Sequence, residues 1–362
     1  MNHENIMKEV FLLAKKGIGK VNPNPLVGAI LIKDGEMIGK GYHKEYKKEH
    51  AEENAIKDAI KRGNEKKIKD SSIYVNLEPC SHFGNRPPCV HLIKKYEIKK
   101  VYISNIDQNE LVNKRGIEFL KENNIEVHTG ILEEEGKKLN EIHNYFIRNK
   151  KPFVVLKSAF SVDGKIQTYK NDSKWISNEL SRKKVHKYRN LYMGILTTAN
   201  TIKIDNPYLN VRHVKKIRNP IKIILDPKDE INKDYNIFKE GKNIIIKPFN
   251  NKVNNIKNTK IINMELIDNK FDLNKVLKKL GELKIDSIMV EAGGSLIWNL
   301  IEQNLINKYL FFIAPKIIGG EDSKTFVEGS GFLKVDNALN LDFEKISNLN
   351  GDLFIEAYNK II

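Results

Sequence analysis

The sequence predicts an α/β protein that is divided into two domains. A length of 362 residues is more than one hydrophobic core usually serves, and it therefore favours two domains. In the first part of the chain, β-type runs at 73–77 and 101–104 alternate with segments of helical apolar spacing such as 114–122. This alternation is typical of a three-layer α/β/α domain. In the second part, a β-type run at 288–291 passes through a pair of glycines into a predicted helix.

The first part of the chain alternates predicted helices and strands up to residue 127. In the helix that begins at Ala51, alanine and isoleucine recur at helical spacing up to a glycine stop at Gly63. The elements predicted in order are a helix over 4–15, a strand over 27–32, a hairpin turn over 33–36, a return strand through 37–41, the helix over 51–63, a strand over 73–77, a helix that starts at Cys89, and strands at 101–104 and 125–127 on either side of a helix over 114–122.

A basic segment that ends in a proline, 144–152, is predicted to connect the two domains, which are placed at 1–146 and 151–362. The elements predicted for the second domain are a strand over 153–157, a helix through 182–189, a strand over 193–197, the strand over 288–291 and a helix that opens at Gly293–Gly294. A glycine turn between a strand and a helix can cradle phosphate, because free N–H groups point at the ligand. An ordinary tight turn is the alternative.

Composition argues against several classes of protein. The formal net charge of +16 invites a nucleic-acid role, but the lysines are scattered among Asn, Ile and Glu and form no basic stripe with aromatic residues. No apolar run approaches the length of a membrane span, and residues 1–20 lack the apolar middle and the cleavage site of a signal peptide. Two cysteines provide no disulfide framework. We therefore expect a cytoplasmic protein with neither a membrane nor a nucleic acid as partner.

The two cysteines of the chain, Cys80 and Cys89, lie in one short stretch, and His50 and Glu52 precede it. Two thiolates and an imidazole can hold a zinc ion while a fourth position stays open for water, and a Glu that is not a ligand can move protons beside it. Eight residues separate the cysteines, so a loop must leave the metal and return to it through two prolines. Prolines suit a helix start, and a helix N-terminus at Cys89 favours thiolate.

Asparagines alternate with prolines at 22–25, just before a predicted strand. Asn24 would there present a rigid amide that can read the donor and acceptor edge of a heterocycle. An ordinary turn before a strand is the alternative. For the cysteine stretch, the alternatives are inert buried thiols, or ligation by His82 or His91 in place of His50.

These N-terminal motifs resemble the deaminase half of the bifunctional deaminase–reductase family of riboflavin biosynthesis. The residues that carry the resemblance are Asn24-Pro25-Leu26-Val27-Gly28, His50-Ala51-Glu52, Leu77-Glu78-Pro79-Cys80-Ser81-His82 and Pro87-Pro88-Cys89. The resemblance implies the cytidine-deaminase fold and the substrate 2,5-diamino-6-ribosylamino-4(3H)-pyrimidinone 5′-phosphate. The implied roles are zinc ligation by His50, Cys80 and Cys89, catalytic proton transfer by Glu52, and substrate contact by Asn24, Asp107 and Asn109.

The sequence departs from the pattern of that family at four places. Gln108 and Glu110 stand where the family has prolines, Asn54 stands where it has a second histidine, and Arg86 comes one residue later than usual. We expect these changes to tune substrate binding and to leave the chemistry intact.

Motifs in the second part of the chain occur in the order of the same family's reductase domain. They are Ser161-Val162-Asp163-Gly164, Trp175-Ile176-Ser177, the segment 201–212 and Glu291-Ala292-Gly293-Gly294. The resemblance implies a dihydrofolate-reductase-like α/β domain that uses NADPH to reduce the ribosyl group to ribityl. The implied cofactor-binding residues are Ala159, Trp175, Thr201, Asp205, Gly293 and Gly294. The implied substrate-binding residues are Ser173, Arg189, Leu209, Arg212 and Glu291, with the two arginines on the 5′-phosphate.

The resemblance also implies small phosphorylated pyrimidines as substrates and a homo-oligomer. Lys157 and water are alternative proton donors in the reduction. Three other functions stay open at this point: a nucleic-acid deaminase that uses the basic surface, a zinc-stabilised module without activity, and a deaminase with a degenerate reductase domain.

Overall fold

Two units, Met1–Lys150 and Lys151–Ile362, make up the chain in this computed structural model, which describes residues 2–81, 87–108, 114–249 and 256–360. Residues 144–149, which the sequence predicts as part of the connection, instead complete a helix, Glu141–Asn149. An acidic residue in the first turn and Arg148 in the last turn suit the dipole of that helix. The connection is therefore shorter than predicted.

The sheet of the N-terminal unit is mixed. Its strands are β1 (Gly28–Lys33), β2 (Glu36–Tyr42), β3 (Ser72–Leu77), β4 (Lys100–Asn105) and β5 (Glu126–His128). Their order across the sheet is β2-β1-β3-β4-β5, with β1 antiparallel to both neighbours and β3, β4 and β5 parallel. The helices of this unit are α1 (His3–Ala14), α2 (Ala51–Lys61), α3 (Glu65–Ile68), α4 (Cys89–Lys95), α5 (Arg115–Glu122), α6 (Glu133–Leu139) and α7 (Glu141–Asn149).

Helices cover both faces of this sheet. Successive residues of a strand point to opposite sides, so one strand can contribute to an apolar cluster on each face. Ala29 and Leu31 of β1 are buried in one apolar cluster with residues of α2, α4 and α5. Ile30 and Ile32, the alternate residues of the same strand, are buried in a second cluster with residues of α1. The predicted three-layer arrangement is confirmed.

The C-terminal unit is built on a larger sheet. Its strands are β6 (Phe153–Ser161), β7 (Gly194–Thr198), β8 (Ile221–Leu225), β9 (Asn243–Lys247), β10 (Thr259–Asn263), β11 (Leu266–Ile267), β12 (Lys270–Phe271), β13 (Ser287–Val290), β14 (Lys308–Ala314), β15 (Leu341–Leu349) and β16 (Asp352–Asn359). The main sheet has the order β10-β9-β8-β7-β13-β6-β14-β16-β15, and β11 pairs with β12 apart from it. The helices are α8 (Glu179–Leu191), α9 (Ala199–Asp205), α10 (Leu273–Glu282) and α11 (Gly294–Glu302).

From β10 to β14 this sheet is parallel, and only the pairings of β16 are antiparallel. Residues that follow parallel strands meet at the carboxyl edge of a sheet, where α/β proteins bind ligands. Here β7 runs into α9, and β13 runs through Glu291 into α11. Among the described residues, no helix is both long and apolar enough to cross a membrane.

Candidate metal centre and candidate cofactor site

The predicted metal ligands converge in the N-terminal unit. His50 is the residue before α2, Cys89 is the first residue of α4, and Cys80 follows β3. The Nδ1 atom of His50 lies 3.3 Å from Sγ of Cys89 and 3.5 Å from Sγ of Cys80. One ligand atom from each residue lies within 4.8 Å of the other two.

These distances fit a zinc ion. Tetrahedral zinc with bonds of about 2.3 Å to sulfur and about 2.0 Å to nitrogen holds its nitrogen and sulfur ligands roughly 3.5 Å apart. Three protein ligands are also the number that catalytic zinc sites use, because the fourth position takes water or substrate. His91 is exposed, with its ring against Phe119, and His82 lies outside the described residues.

Cys80 is the thiolate of the ligand set at neutral pH. A hydrogen bond from Cys89 is the first reason that the pKa of the Cys80 thiol is lowered to about 4, and His50 adds to the effect. The hydrogen bond to Cys80 in turn raises the pKa of His50 to about 8. A thiolate is the form of cysteine that binds zinc, so Cys80 is ready to bind it. The hydrogen bond to Cys80 and burial raise the pKa of Cys89 well above its ordinary value, so zinc binding there releases a proton.

Glu52 lies beside the thiols and not among the three ligands. It is in the first turn of α2, is 3% exposed, and shares a hydrogen bond with the Cys89 side chain. Burial raises the pKa of its carboxyl group. A buried carboxyl group with a raised pKa can both accept and return a proton near neutral pH.

In the C-terminal unit, a buried ion pair joins two predicted substrate residues. Arg189 donates from Nε and Nη2 to the two carboxylate oxygens of Glu291, at 2.8 and 3.0 Å. Lys157 Nζ lies 3.6 Å from the same carboxylate. Burial alone would raise the pKa of Glu291, but the charges of Arg189 and Lys157 outweigh it and lower the pKa to about 2.

The two arginines that the resemblance implies on the phosphate differ in burial and in hydrogen bonding. Arg189 is buried, and its Nη1 donates a third hydrogen bond, to the carbonyl of Asn210 at 3.0 Å. Arg212 is exposed, with its guanidinium 5.3 Å from the centre of the Tyr208 ring. Arg212 is therefore the more accessible of the two arginines to an incoming phosphate.

The residues predicted to contact the cofactor fall into two groups along the chain, 159–205 and 293–294. Asp205 accepts a hydrogen bond at 3.1 Å from Ser173, which is a predicted substrate residue. Trp175 is 62% exposed, and the centre of its ring lies 4.7 Å from the guanidinium of Arg182. Thr201 bonds through its N–H to the N-cap Thr198 at the start of α9. Ala159 lies in β6 opposite Phe312.

The second group is the glycine turn at the start of α11. A Cβ atom on Gly294 would lie 2.6 Å from Cγ of Glu328 and 2.9 Å from its backbone nitrogen, so a side chain is excluded there. A Cβ on Gly293 would meet open space. The helix start is therefore open at Gly293, whereas the Glu328 side chain packs against it at Gly294.

Two family models match the chain. One is the cytidine and deoxycytidylate deaminase zinc-binding region, over residues 1–105, and the other is the RibD C-terminal domain, over residues 152–355. The riboflavin biosynthesis protein RibD of Aquifex aeolicus is 37% identical over 355 residues, which cover 97% of this chain and 97% of the relative. The protein of the same name from Actinobacillus pleuropneumoniae is 34% identical and covers 98% of this chain and 95% of the relative. This chain belongs to the RibD family.

Solved RibD structures agree with this assignment over the whole chain. The diaminohydroxyphosphoribosylaminopyrimidine deaminase/5-amino-6-(5-phosphoribosylamino)uracil reductase of Thermotoga maritima is 34% identical, with a TM-score of 0.91 and 99% of both chains covered. One form of RibD from Acinetobacter baumannii has a TM-score of 0.90 at 27% identity. The predicted pair of folds is confirmed, as is the predicted bifunctional enzyme of riboflavin biosynthesis with a zinc deaminase domain and an NADPH-dependent reductase domain. The roles of the individual residues stay predictions.

Reasoning from the sequence did not identify the roles of two side chains near the metal ligands. The first is His43, which is buried at the end of β2. Its Nδ1 faces the carbonyl of Glu49 at 2.9 Å and must donate, so Nε2 accepts from the Asn24 amide at 3.2 Å. Asn24 is thereby oriented with its NH₂ toward His43. Nothing in the spacing of the sequence links residues 24 and 43.

The second is Glu78, which is 3% exposed and two residues before Cys80. Its carboxylate accepts four backbone N–H groups, from Asp107 at 3.3 Å, Lys114 at 3.1 Å, Gly116 at 3.0 Å and Ile117 at 3.4 Å. It therefore holds the buried substrate candidate Asp107 and the first turn of α5 together. Asn109, the other candidate on this segment, lies outside the described residues, as does Arg86.

Asn54, where the sequence departs from the family pattern, is also placed by the structure. Its Nδ2 donates to the carbonyls of Tyr42, at 2.9 Å, and Glu49, at 3.2 Å. These bonds connect α2 to the segment that carries His43, so Asn54 has a structural role in this chain.

Proposed function

We propose that this RibD-family chain deaminates 2,5-diamino-6-ribosylamino-4(3H)-pyrimidinone 5′-phosphate hydrolytically and then reduces the ribosyl group of the product to ribityl with NADPH. The observation that carries the proposal is the convergence of His50, Cys80 and Cys89 at zinc-ligand distances, with the Glu52 carboxyl group beside them. The relative from T. maritima is named as a deaminase of such a pyrimidine and a reductase of such a uracil.

In the deaminase unit, His50, Cys80 and Cys89 would hold the zinc ion. When bound, zinc supplies Lewis acidity, which makes water a nucleophile near neutral pH. Glu52 takes a proton from the attacking water and passes it to the ring nitrogen of the pyrimidine. It then takes the second proton of that water, from the hydroxyl group now on the ring carbon, and gives it to the departing amino group, which leaves as ammonia. Burial of Glu52 keeps bulk water from competing for this proton.

The substrate side of this unit is assigned to Asn24, Asp107 and Asn109. His43 holds the Asn24 amide through its NH₂, which leaves the carbonyl oxygen of Asn24 to accept from an amino group or ring N–H of the pyrimidine. Glu78 holds Asp107 by its backbone. Hydrogen bonds that the protein has fixed beforehand lower the cost of ordering the site when substrate binds.

In the reductase unit, NADPH would lie along Ala159, Trp175, Thr201, Asp205 and the glycine pair Gly293–Gly294, and it supplies the hydride when bound. Ser173, Leu209, Arg212 and the Arg189–Glu291 pair are assigned to the substrate, with Arg212 on its 5′-phosphate. Lys157, whose pKa is lowered chiefly by burial, lies against Glu291 and is one candidate for the proton that the reduction consumes. Water is the other.

Metal analysis and two assays on the purified full chain test this function. We expect zinc in the protein, ammonia release from the diaminopyrimidine substrate, and NADPH oxidation that requires the deaminated intermediate. Zinc without either activity would favour a structural zinc module. Ammonia release without NADPH oxidation would favour a degenerate reductase.

Tight binding to RNA that weakens steeply with salt would favour a nucleic-acid deaminase. We propose small phosphorylated pyrimidines as substrates and the cytoplasm as the place of action. A homo-oligomer stays a prediction from the resemblance.

A further inference from the structure

Three side chains on one face of α8 hold the segment 209–217 by its backbone. His186, Arg189 and Asn190 lie three and four residues apart, so they share one side of the helix, and all three are buried. His186 Nδ1 accepts a hydrogen bond from the N–H of Arg212 at 3.0 Å. Arg189 Nη1 donates to the carbonyl of Asn210 at 3.0 Å. Asn190 makes two bonds: Nδ2 donates to the carbonyl of Lys215 at 2.9 Å, and Oδ1 accepts from the N–H of Ile217 at 2.9 Å.

This segment has a backbone that needs such support. Leu209 has φ of 46° and His213 has φ of 60°, both in the left-handed region. A residue other than glycine is sterically strained there, and such conformations persist where the surroundings impose them. The bonds from α8 to Asn210 and Arg212 lie between these two residues, so they hold the strained part of the segment.

Arg212 lies at the centre of the held part. Its backbone N–H is fixed by His186, while its guanidinium is exposed. The position of the backbone therefore decides where the guanidinium can reach, although the side chain stays free to meet a ligand.

We propose that His186 is a positioning residue for the reductase step, because it sets the backbone of Arg212 where the guanidinium meets the 5′-phosphate of the substrate. This inference rests on the proposed function, in which Arg212 is the phosphate contact. His186 itself touches neither substrate nor cofactor in this scheme.

The chemistry of the imidazole supports this role. Burial, followed by the charges of Arg189 and Arg212, lowers the pKa of His186 to about 3. The ring is therefore neutral at working pH, and because Nδ1 faces a backbone N–H it must be the unprotonated nitrogen. A neutral acceptor beside two arginines also adds no charge that would compete with the phosphate.

Two amide substitutions separate this role from simple packing. Asparagine places its side-chain oxygen near the position of Nδ1, whereas glutamine reaches toward the position of Nε2. His186→Asn therefore keeps the acceptor for Arg212, and His186→Gln removes it with little change in polarity. Tyr188→Phe is the matched control on the same helix, because it loses a hydrogen bond that goes to Glu356 at 3.1 Å and not to the segment.

The assay is steady-state reduction of the deaminated intermediate by the full chain. For His186→Gln we expect the KM for the intermediate to rise about tenfold, the size of one 1.4 kcal/mol interaction. We expect kcat and the KM for NADPH to change less than about twofold. His186→Asn and Tyr188→Phe should stay within about threefold of the wild-type KM. Inhibition by the 5′-dephosphorylated intermediate should not change in any variant, because only the phosphate meets Arg212.

A double substitution completes the test. In an Arg212→Ala background, His186→Gln should raise the KM no further, because its effect passes through Arg212. Equal KM values for the asparagine and glutamine variants would overturn the proposal, as would a full additional effect in the Arg212→Ala background. If the wild-type chain failed to reduce the intermediate at all while its ammonia release persisted, the proposed reductase function would be at fault, and not the role of His186.

Discussion

Replacing Glu291 by glutamine tests the buried ion pair of the reductase unit. Glu291 is 10% exposed and pairs through both oxygens with Arg189, which is equally buried. The pKa of Glu291 falls from 4.5 to about 2. At 1.36 kcal/mol for each pKa unit, the charged carboxylate contributes about 3 kcal/mol to the free energy of unfolding near neutral pH. Glu291→Gln keeps the shape of the side chain and removes that contribution.

The pH dependence of this loss follows from the direction of the shift. The folded-state pKa lies below the unfolded value, so the contribution is complete above pH 4.5 and disappears as the pH falls toward 2. We therefore expect the difference between wild type and Glu291→Gln to shrink from about 3 kcal/mol near neutral pH to about 2 kcal/mol near pH 3.5.

Urea unfolding followed by tryptophan fluorescence measures this difference in the full chain. Both tryptophans, Trp175 and Trp298, belong to the C-terminal unit, so the signal reports on the unit that carries the substitution. Glu282→Gln, which removes an exposed pair with Lys279, is the control and should not change the unfolding curve measurably. A loss below about 1 kcal/mol near neutral pH, or one that does not depend on pH, would refute the reasoning.

Three further predictions concern the deaminase unit. Glu52→Gln should slow ammonia release by a factor of about 10²–10⁴ and leave the zinc content unchanged by metal analysis; release at the wild-type rate would contradict its role. Cys80→Ala should remove both zinc and ammonia release but not NADPH oxidation with added intermediate, and a zinc content equal to wild type would show that Cys80 is not a ligand. Glu78→Gln puts an NH₂ group among four N–H donors, so the KM of the deaminase should rise with zinc retained; an unchanged KM would argue against the positioning of Asp107 by Glu78.

The metal site could be predicted from the sequence because each ligand has a local signature. His50 precedes an amphipathic helix, Cys80 follows a strand, and Cys89 follows two prolines at a helix start. The chain has only two cysteines, so few combinations were possible. Elements with strong periodicity were likewise predicted correctly in type, although β6 continues beyond its predicted end to Ser161.

Partners that lie far apart in the sequence could not be found in this way. His43 meets Asn24, Glu78 meets the start of α5, and His186 meets Arg212 only after the strands have taken their order. Arg189 illustrates the same limit, because no local pattern in the sequence indicates its ion pair with Glu291, which lies 102 residues away.

The sequence by itself determined which chemical groups this protein can bring to a site, together with the helices and strands that carry them, because periodicity, turn residues and ligand types act over a few neighbouring positions. Only the tertiary structure decided how those groups are oriented and which charges they meet. Orientation depends on hydrogen bonds and ion pairs between distant segments, and strand order and burial bring those segments together.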